Sequence, residues 1–143
     1  LFRMAVIEPT KKIVSAVKAQ YPDLPMIGFP RAAGANYLDY IEETGVDAVA
    51  VDTAMPIRWA VENIQSRMPI QGNLDPIALL AGGSELEAEV ESILSVASSK
   101  PFIFNLGHGI LPSTPIEHVE QLVRQVRAGR GYPAQRFRQR GFG

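Results

Sequence analysis

The chain has 143 residues, 46% hydrophobic and 20% charged, the balance of one globular domain. Its formal net charge of -1 gives no global field for nucleic acid or an anionic membrane, and no apolar stretch approaches the ~20 residues that span a bilayer. Cysteine is absent, which excludes disulfides, thiolate nucleophiles and cysteine-ligated zinc or iron–sulfur centres, and accords with a cytosolic location. The start, LFRMAVIEPTKK, lacks the long apolar core of a signal peptide. Residues 9–20 predict a first helix, with Pro9 in its opening turn and Ile13, Val14 and Val17 on one face. Residues 24–30, LPMIGFP, predict a strand, and residues 34–44 a helix carrying Tyr37, Leu38 and Ile41 that stops at Gly45. Residues 47–52, DAVAVD, predict a second strand, followed over 56–66 by a helix with Ile57, Ala60, Val61 and Ile64 on one side. Residues 68–75, MPIQGNLD, predict a third strand. Residues 84–99 predict a helix that opens with a capping-box pattern at Ser84 and buries positions 86, 90, 93, 94 and 97. Residues 101–109, PFIFNLGHG, predict a fourth strand and its loop. The last helix opens at Thr114-Pro115-Ile116-Glu117, also a capping-box pattern, with Ile116, Val119, Val123 and Val126 facing inward.

A helix followed by four strand–helix units implies parallel strands joined by right-handed crossovers. The continuously apolar runs at 48–51 and 102–104 predict strands buried on both faces. Two architectures fit: an open doubly wound sheet, or half of a (β/α)8 barrel, whose complete form takes about 250 residues. From Arg130 the tail holds four arginines, no acid, and Tyr132, Phe137 and Phe142; it reads as a disordered end, with contact to RNA or an acidic surface as the alternative.

Both architectures bind ligands at the carboxyl ends of their strands. Those ends carry Gly28-Phe29-Pro30-Arg31, Asp52-Thr53, Gly72-Asn73-Leu74-Asp75 and Asn105-Leu106-Gly107-His108-Gly109. A histidine between two glycines has little steric competition and allows a ligand close; the alternative is a loop histidine bonded to a neighbouring carbonyl. Arg31 either binds an anion or faces solvent. Asp52 and Asp75 each either position a ligand or cap the next turn, and for Asp75, before Pro76, the cap is the favoured role. His118 reads as solvated surface and Trp59 as packing. No Ser–His–Asp order, phosphate-loop glycine pattern or metal-ligand cluster is present.

These residues carry a resemblance. FNLGHGILPSTPIEHVEQLVRQV is similar to the C-terminal signature of the uroporphyrinogen decarboxylase family, and QGNLDPIALLAGG, TGVDAVAVDTAMP and MIGFPRAAG resemble its other segments in the same order. The match runs from Phe2 to Arg127. It implies an α/β fold, the C-terminal half of a (β/α)8 barrel over residues 1–128 with about four parallel strands and outer helices, and an arginine-rich tail over 129–143. It implies decarboxylation of the four acetate side chains of uroporphyrinogen III to give coproporphyrinogen III in haem synthesis, with no metal or organic cofactor, in a cytosolic homodimer that binds neither nucleic acid nor membrane. It assigns His108 to the substrate, and the neighbouring strand ends place Gly28, Arg31, Asn73 and Gly107 in the same pocket. The family's arginines near its start, its pyrrole-binding aspartate, and a tyrosine and serine from its middle segments have no counterpart here. The resemblance therefore implies an incomplete enzyme, inactive alone and without a catalytic residue of its own, and the first residue, Leu1, agrees. The tail also departs from the family's ending. Methyltransferases sharing this barrel bind zinc through a histidine and cysteines, and the lack of cysteine weighs against them. A half barrel serving as a binding or assembly module is the non-enzymatic alternative.

Overall fold

The structure, a computed structural model, describes residues 1–129. The expected tail lies, from residue 130 onward, outside the described residues. Four parallel strands lie side by side in chain order: β1 (Ile27–Gly28), β2 (Ala48–Ala50), β3 (Ile70–Leu74) and β4 (Phe102–Leu106). The helices are α1 (Glu8–Gln20), α2 (Tyr37–Thr44), α3 (Ile57–Asn63), α4 (Pro76–Ala81), α5 (Gly83–Ala97) and α6 (Ile116–Ala128). A wider π-turn segment, Arg3–Ile7, runs into α1, and a 3-10 turn, Gly34–Asn36, runs into α2. This is an α/β arrangement of half a barrel, with helices packed on one side of the sheet.

The strand periodicity decides which side that is. Val49 and Ile70 are fully buried and join Ile7, Tyr37, Ile41, Ala60 and Ile64 in one cluster. Leu74, Leu79, Leu86, Val90 and Ile93 form a second, against which Phe102, Phe104 and α6 pack; the two rings meet edge to face, with centroids 6.2 Å apart. Residues of opposite parity point to the other face. Ile103, Gln71 and Ala50 lie in one cross-strand row, and Ile27 lies beside Ala48. Ile27 and Phe29 are each 46% exposed and Ile103 42%, on the face that a complete barrel buries. The expectation that Phe102, Ile103 and Phe104 are buried on both faces is therefore corrected. β4 alternates half-buried positions, which pack on the helix side, with exposed ones on the opposite face, which nothing among the described residues covers.

Local chemistry shapes several joints. β1 is shorter than its seven-residue apolar run, and Asp47 holds its entry by accepting from the Met26 N–H (2.8 Å) and Lys18 Nζ (2.6 Å). Gly45 ends α2 at φ 77°, the left-handed stop expected there. The segment after β3 holds a helix that the sequence did not predict, α4. Asp75 caps it as expected, accepting from the Ile77 N–H at 2.8 Å, with Pro76 at the first helical position. The capping box at Ser84 does not form. Gly82, at φ 67°, takes the cap position between α4 and α5 and has no side chain to offer; the Gln121 amide oxygen of α6 instead accepts from the Gly83 N–H at 3.0 Å. Nor does Thr114 cap α6: Pro115 is the cap residue, and the Thr114 hydroxyl has no partner. The half-buried packing face of α6 is Val119, Leu122 and Val126, leaving Ile116 and Val123 exposed. At the amino end of the sheet, the buried Gln65 amide donates to the carbonyls of Ala97 (2.9 Å) and Pro101 (3.1 Å), tying the end of α3 to the turn before β4.

Gly72 shows how closely β2 and β3 approach at their carboxyl ends. A Cβ there would lie 2.6 Å from the Val51 carbonyl oxygen, at φ 139°. Gly83 also has positive φ, but a Cβ there would meet nothing within 4 Å. Gly83→Ala is therefore expected to lower stability by about 1 kcal/mol through backbone strain alone, and Gly72→Ala by about 3 kcal/mol or more through strain plus a backbone clash. Urea unfolding of the two variants checks this; equal losses would show that the clash at Gly72 is relieved.

Candidate functional site

The mouth of the half barrel is assembled around the end of β2. Asp52 follows that strand and is only 5% exposed. Its carboxylate accepts from the Ala32 N–H at 2.7 Å and the Tyr37 hydroxyl at 3.2 Å through Oδ2, and from the Ala54 N–H at 2.9 Å through Oδ1. A buried carboxylate is tolerated only when donors replace its water, and here they do. The Tyr37 oxygen also accepts from the Asp52 N–H at 3.3 Å. Burial, then the nearby Asp52 carboxylate, push the Tyr37 hydroxyl above the ordinary phenol range, so it stays a protonated donor. One side chain thus joins the loop after β1, the turn after β2 and the first turn of α2. Of the two roles open to Asp52 in the sequence, capping is the one these contacts perform.

Asn73, at the end of β3, is buried beside it. Its amide donates to the backbone carbonyls of Asp52 (2.9 Å) and Met55 (2.7 Å), so its NH2 group is fully used by the β2 turn. The loop after β4 then leans over this clamp. The Gly107 N–H donates to the Leu74 carbonyl at 2.8 Å, and a Cβ on Gly107 would stand 2.5 Å from the Thr53 backbone nitrogen. The chain's own packing therefore requires glycine at 107. At Gly109 a Cβ would meet nothing within 4 Å.

That lean brings His108 to Arg31. The guanidinium lies 3.2 Å from Nε2 of the imidazole. Three inter-strand spacings of ~4.8 Å would put the edge strands of a flat sheet about 14 Å apart. Direct contact between the loops after β1 and β4 reflects sheet curvature and inward folding of both loops. Gly28 sits deeper, where a Cβ would overlap the Tyr40 hydroxyl at 2.5 Å; its bare Cα accommodates α2, on the helix side of the sheet. Of the five expected pocket residues, the structure brings Arg31 and His108 into contact at the mouth, places Gly107 and Asn73 as the packing beneath, and puts Gly28 under α2.

Two neighbouring features set the electrostatics. A groove of about 520 Å³ on the flank of the mouth, between the β2 turn, α4 and α5, is lined by Asn73 and by the carboxylates Asp75, Glu85 and Glu89. The basic pair Arg31 and His108 lies outside it. His118, expected on the solvated surface, instead packs against Gly82, with Nδ1 3.1 Å from the carbonyl oxygens of Leu79 and Leu80. The closing carbonyls of α4 attract that ring N–H, and its role is to dock α6. Tyr37 is the functional neighbour that the sequence reading placed only in the core. Its signal was chemical, since a buried phenol needs a hydrogen-bond partner. Among the described residues no three His, Asp or Glu side chains converge as a metal-binding set, and no helix is long and apolar enough to cross a membrane.

Comparison with known proteins agrees with the motif resemblance. The family model described as uroporphyrinogen decarboxylase (URO-D) matches residues 1–129. The chain is 51% identical over 128 residues to a uroporphyrinogen decarboxylase of Sphingopyxis alaskensis, covering 90% of this chain and 37% of that protein. It is 52% identical over 128 residues to one from the Wolbachia of Brugia malayi, covering 90% and 36%, and 46% identical over 129 residues to one from Rhodospirillum rubrum, covering 90% and 37%. The chain thus spans little more than a third of the length of these curated relatives. Among solved structures it is similar to a methyltransferase from Methanosarcina mazei, with a TM-score of 0.66, 22% identity, and coverage of 87% of this chain and 36% of that one. At that identity the likeness concerns the fold alone.

Asp52 makes a direct test of how the mouth is held. Asp52→Ala leaves the Ala32 and Ala54 N–H groups and the Tyr37 hydroxyl without their acceptor, and is expected to lower stability by about 3 kcal/mol. Amide hydrogen exchange at Ala32 and Ala54 should accelerate in the same variant. An unchanged unfolding midpoint together with unchanged exchange would show that the mouth does not depend on this carboxylate.

Proposed function

We propose that this chain, which belongs to the uroporphyrinogen decarboxylase family, carries part of the substrate-binding wall of an enzyme that converts the acetate side chains of uroporphyrinogen III to methyl groups. The observation that carries this reading is the contact of Arg31 with His108 across the carboxyl ends of the strands. A substrate with eight carboxylates needs charged and hydrogen-bonding donors, and charge-assisted bonds of this kind are about twice as strong as neutral ones. The acidic groove lined by Asp75, Glu85 and Glu89 would repel such a ligand, which leaves the Arg31 and His108 side as the side it approaches.

Losing carbon dioxide from a pyrrole acetate requires a proton on the ring, and the resulting cation needs a preorganised negative partner. The family pattern places that aspartate outside the region matched here. Asp52 does not replace it, because three donors of this chain already occupy its oxygens. The chain's contribution is therefore to bind and orient: His108 and Arg31 meet side-chain carboxylates, and Asn73 and Gly107 hold the loops that carry them. No cofactor enters this reading. We place the whole enzyme in the cytoplasm as a homodimer, in keeping with the family resemblance.

A chimera provides the test. Residues 1–129 replace the matching segment of the Sphingopyxis alaskensis relative, to which they are similar along 128 residues. The chimera is expected to decarboxylate uroporphyrinogen III, whereas the 143-residue chain alone is expected to turn over none. His108→Ala in the chimera is expected to lower kcat/KM roughly 10- to 150-fold, the effect of losing one charge-assisted hydrogen bond of about 1.5–3 kcal/mol. A folded chimera without activity, or a His108→Ala chimera as active as its parent, would overturn the reading.

A further inference from the structure

We infer that Arg31 is a positioning residue that fixes His108 in one neutral tautomer, with its proton on Nδ1, so that His108 meets a ligand as an N–H donor. Two observations carry this. The first is the contact itself: a guanidinium nitrogen of Arg31 lies 3.2 Å from Nε2. A guanidinium has five donors and no acceptor, so the nitrogen facing it must present a lone pair. An imidazole with a lone pair on Nε2 carries its proton on Nδ1. The second is that Nδ1 is buried and has no hydrogen-bond partner. The tautomer that Arg31 selects thus directs an N–H donor to a place where the described residues offer no acceptor. Buried donors are almost always satisfied, and Nδ1 has no open surface here, so an outside oxygen reaches it only when the ring turns or the β4 loop shifts. A carboxylate or carbonyl oxygen suits it; a second donor does not.

The surroundings explain why the selection holds. His108 lies between Gly107, locked against Thr53, and Gly109, which has open space, so no neighbouring side chain competes for the ring. Arg31 is itself held in place. The next residue, Ala32, has φ 59° and donates its N–H to the buried Asp52 carboxylate at 2.7 Å. That anchored turn sets the direction in which Arg31 leaves the backbone. Asp52 thereby acts on His108 through Arg31, without touching it.

This inference deepens the reading of His108 as a substrate contact, yet its test needs no substrate, so either can fail alone. Ring carbon and nitrogen NMR of the histidine-labelled chain separates the two neutral tautomers of His108, with His118→Gln used to assign the signals. Among neutral rings, the parent is expected to show mainly the Nδ1–H form. Arg31 is exposed, so its replacement leaves the core intact. Arg31→Leu removes the donor, and Arg31→Glu puts an acceptor in its place. Both are expected to move His108 toward the Nε2–H form that free imidazole favours in water, changing the tautomer ratio about tenfold. An unchanged backbone amide spectrum confirms the fold in each variant. A parent already in the Nε2–H form, or variants that keep the Nδ1–H form, would overturn the inference.

Discussion

One carboxylate with three donors organises the mouth of this half barrel. Asp52 is buried at the end of β2 and takes the Ala32 N–H, the Ala54 N–H and the Tyr37 hydroxyl. Each donor belongs to a different piece of chain: the loop after β1, the turn after β2 and the first turn of α2. A buried carboxyl group in that position is tolerated because all three donors arrive together. Asn73 then fastens the same turn from the side of β3, and Gly107 lays the β4 loop on top of it. The contact of His108 with Arg31 is the last link of this series, and it exists because the earlier links bring two edge loops inward.

Much of this was legible in the sequence, for a definable reason. Buried strands and amphipathic helices leave a period in the chain, and the four strands and most helices follow it. Gly45 and Asp75 act locally, and their stop and cap appear where read. What was not legible depended on partners distant in sequence. The capping patterns at Ser84 and Thr114 are local, but Gly82 and Pro115 take the cap positions, and neither Ser84 nor Thr114 caps its helix. His118 looks like a surface residue on its own helix; only α4, 38 and 39 residues earlier, supplies the carbonyls that hold it. The exposed side of β4 is likewise non-local, since its apolar composition describes a strand covered on both faces and only the helix side is covered among the described residues.

The candidate site was legible in outline. The strand ends marked by distinctive residues do lie together, and Arg31 and His108, 77 positions apart, touch. The division of labour among them was not. Gly28 and Gly107 read alike as room for a ligand, whereas the structure fills both spaces with its own atoms, Tyr40 in one and Thr53 in the other. Asn73 reads as a pocket amide, yet its NH2 group is used by two backbone carbonyls. Conformational requirement and ligand contact produce the same residue types at the mouth of a barrel, and only geometry separates them.

In the proposed function, the Arg31 and His108 side of the mouth faces the carboxylates of a tetrapyrrole. The most direct measurement is a crystal structure of the chimera carrying residues 1–129, with coproporphyrin III bound as a product-like ligand. A ligand carboxylate is expected within hydrogen-bonding distance, about 2.7–3.2 Å, of His108 or Arg31, with the acidic groove at Asp75, Glu85 and Glu89 left empty. A tetrapyrrole bound in that groove, or one whose carboxylates all lie away from the β4 loop, would contradict it.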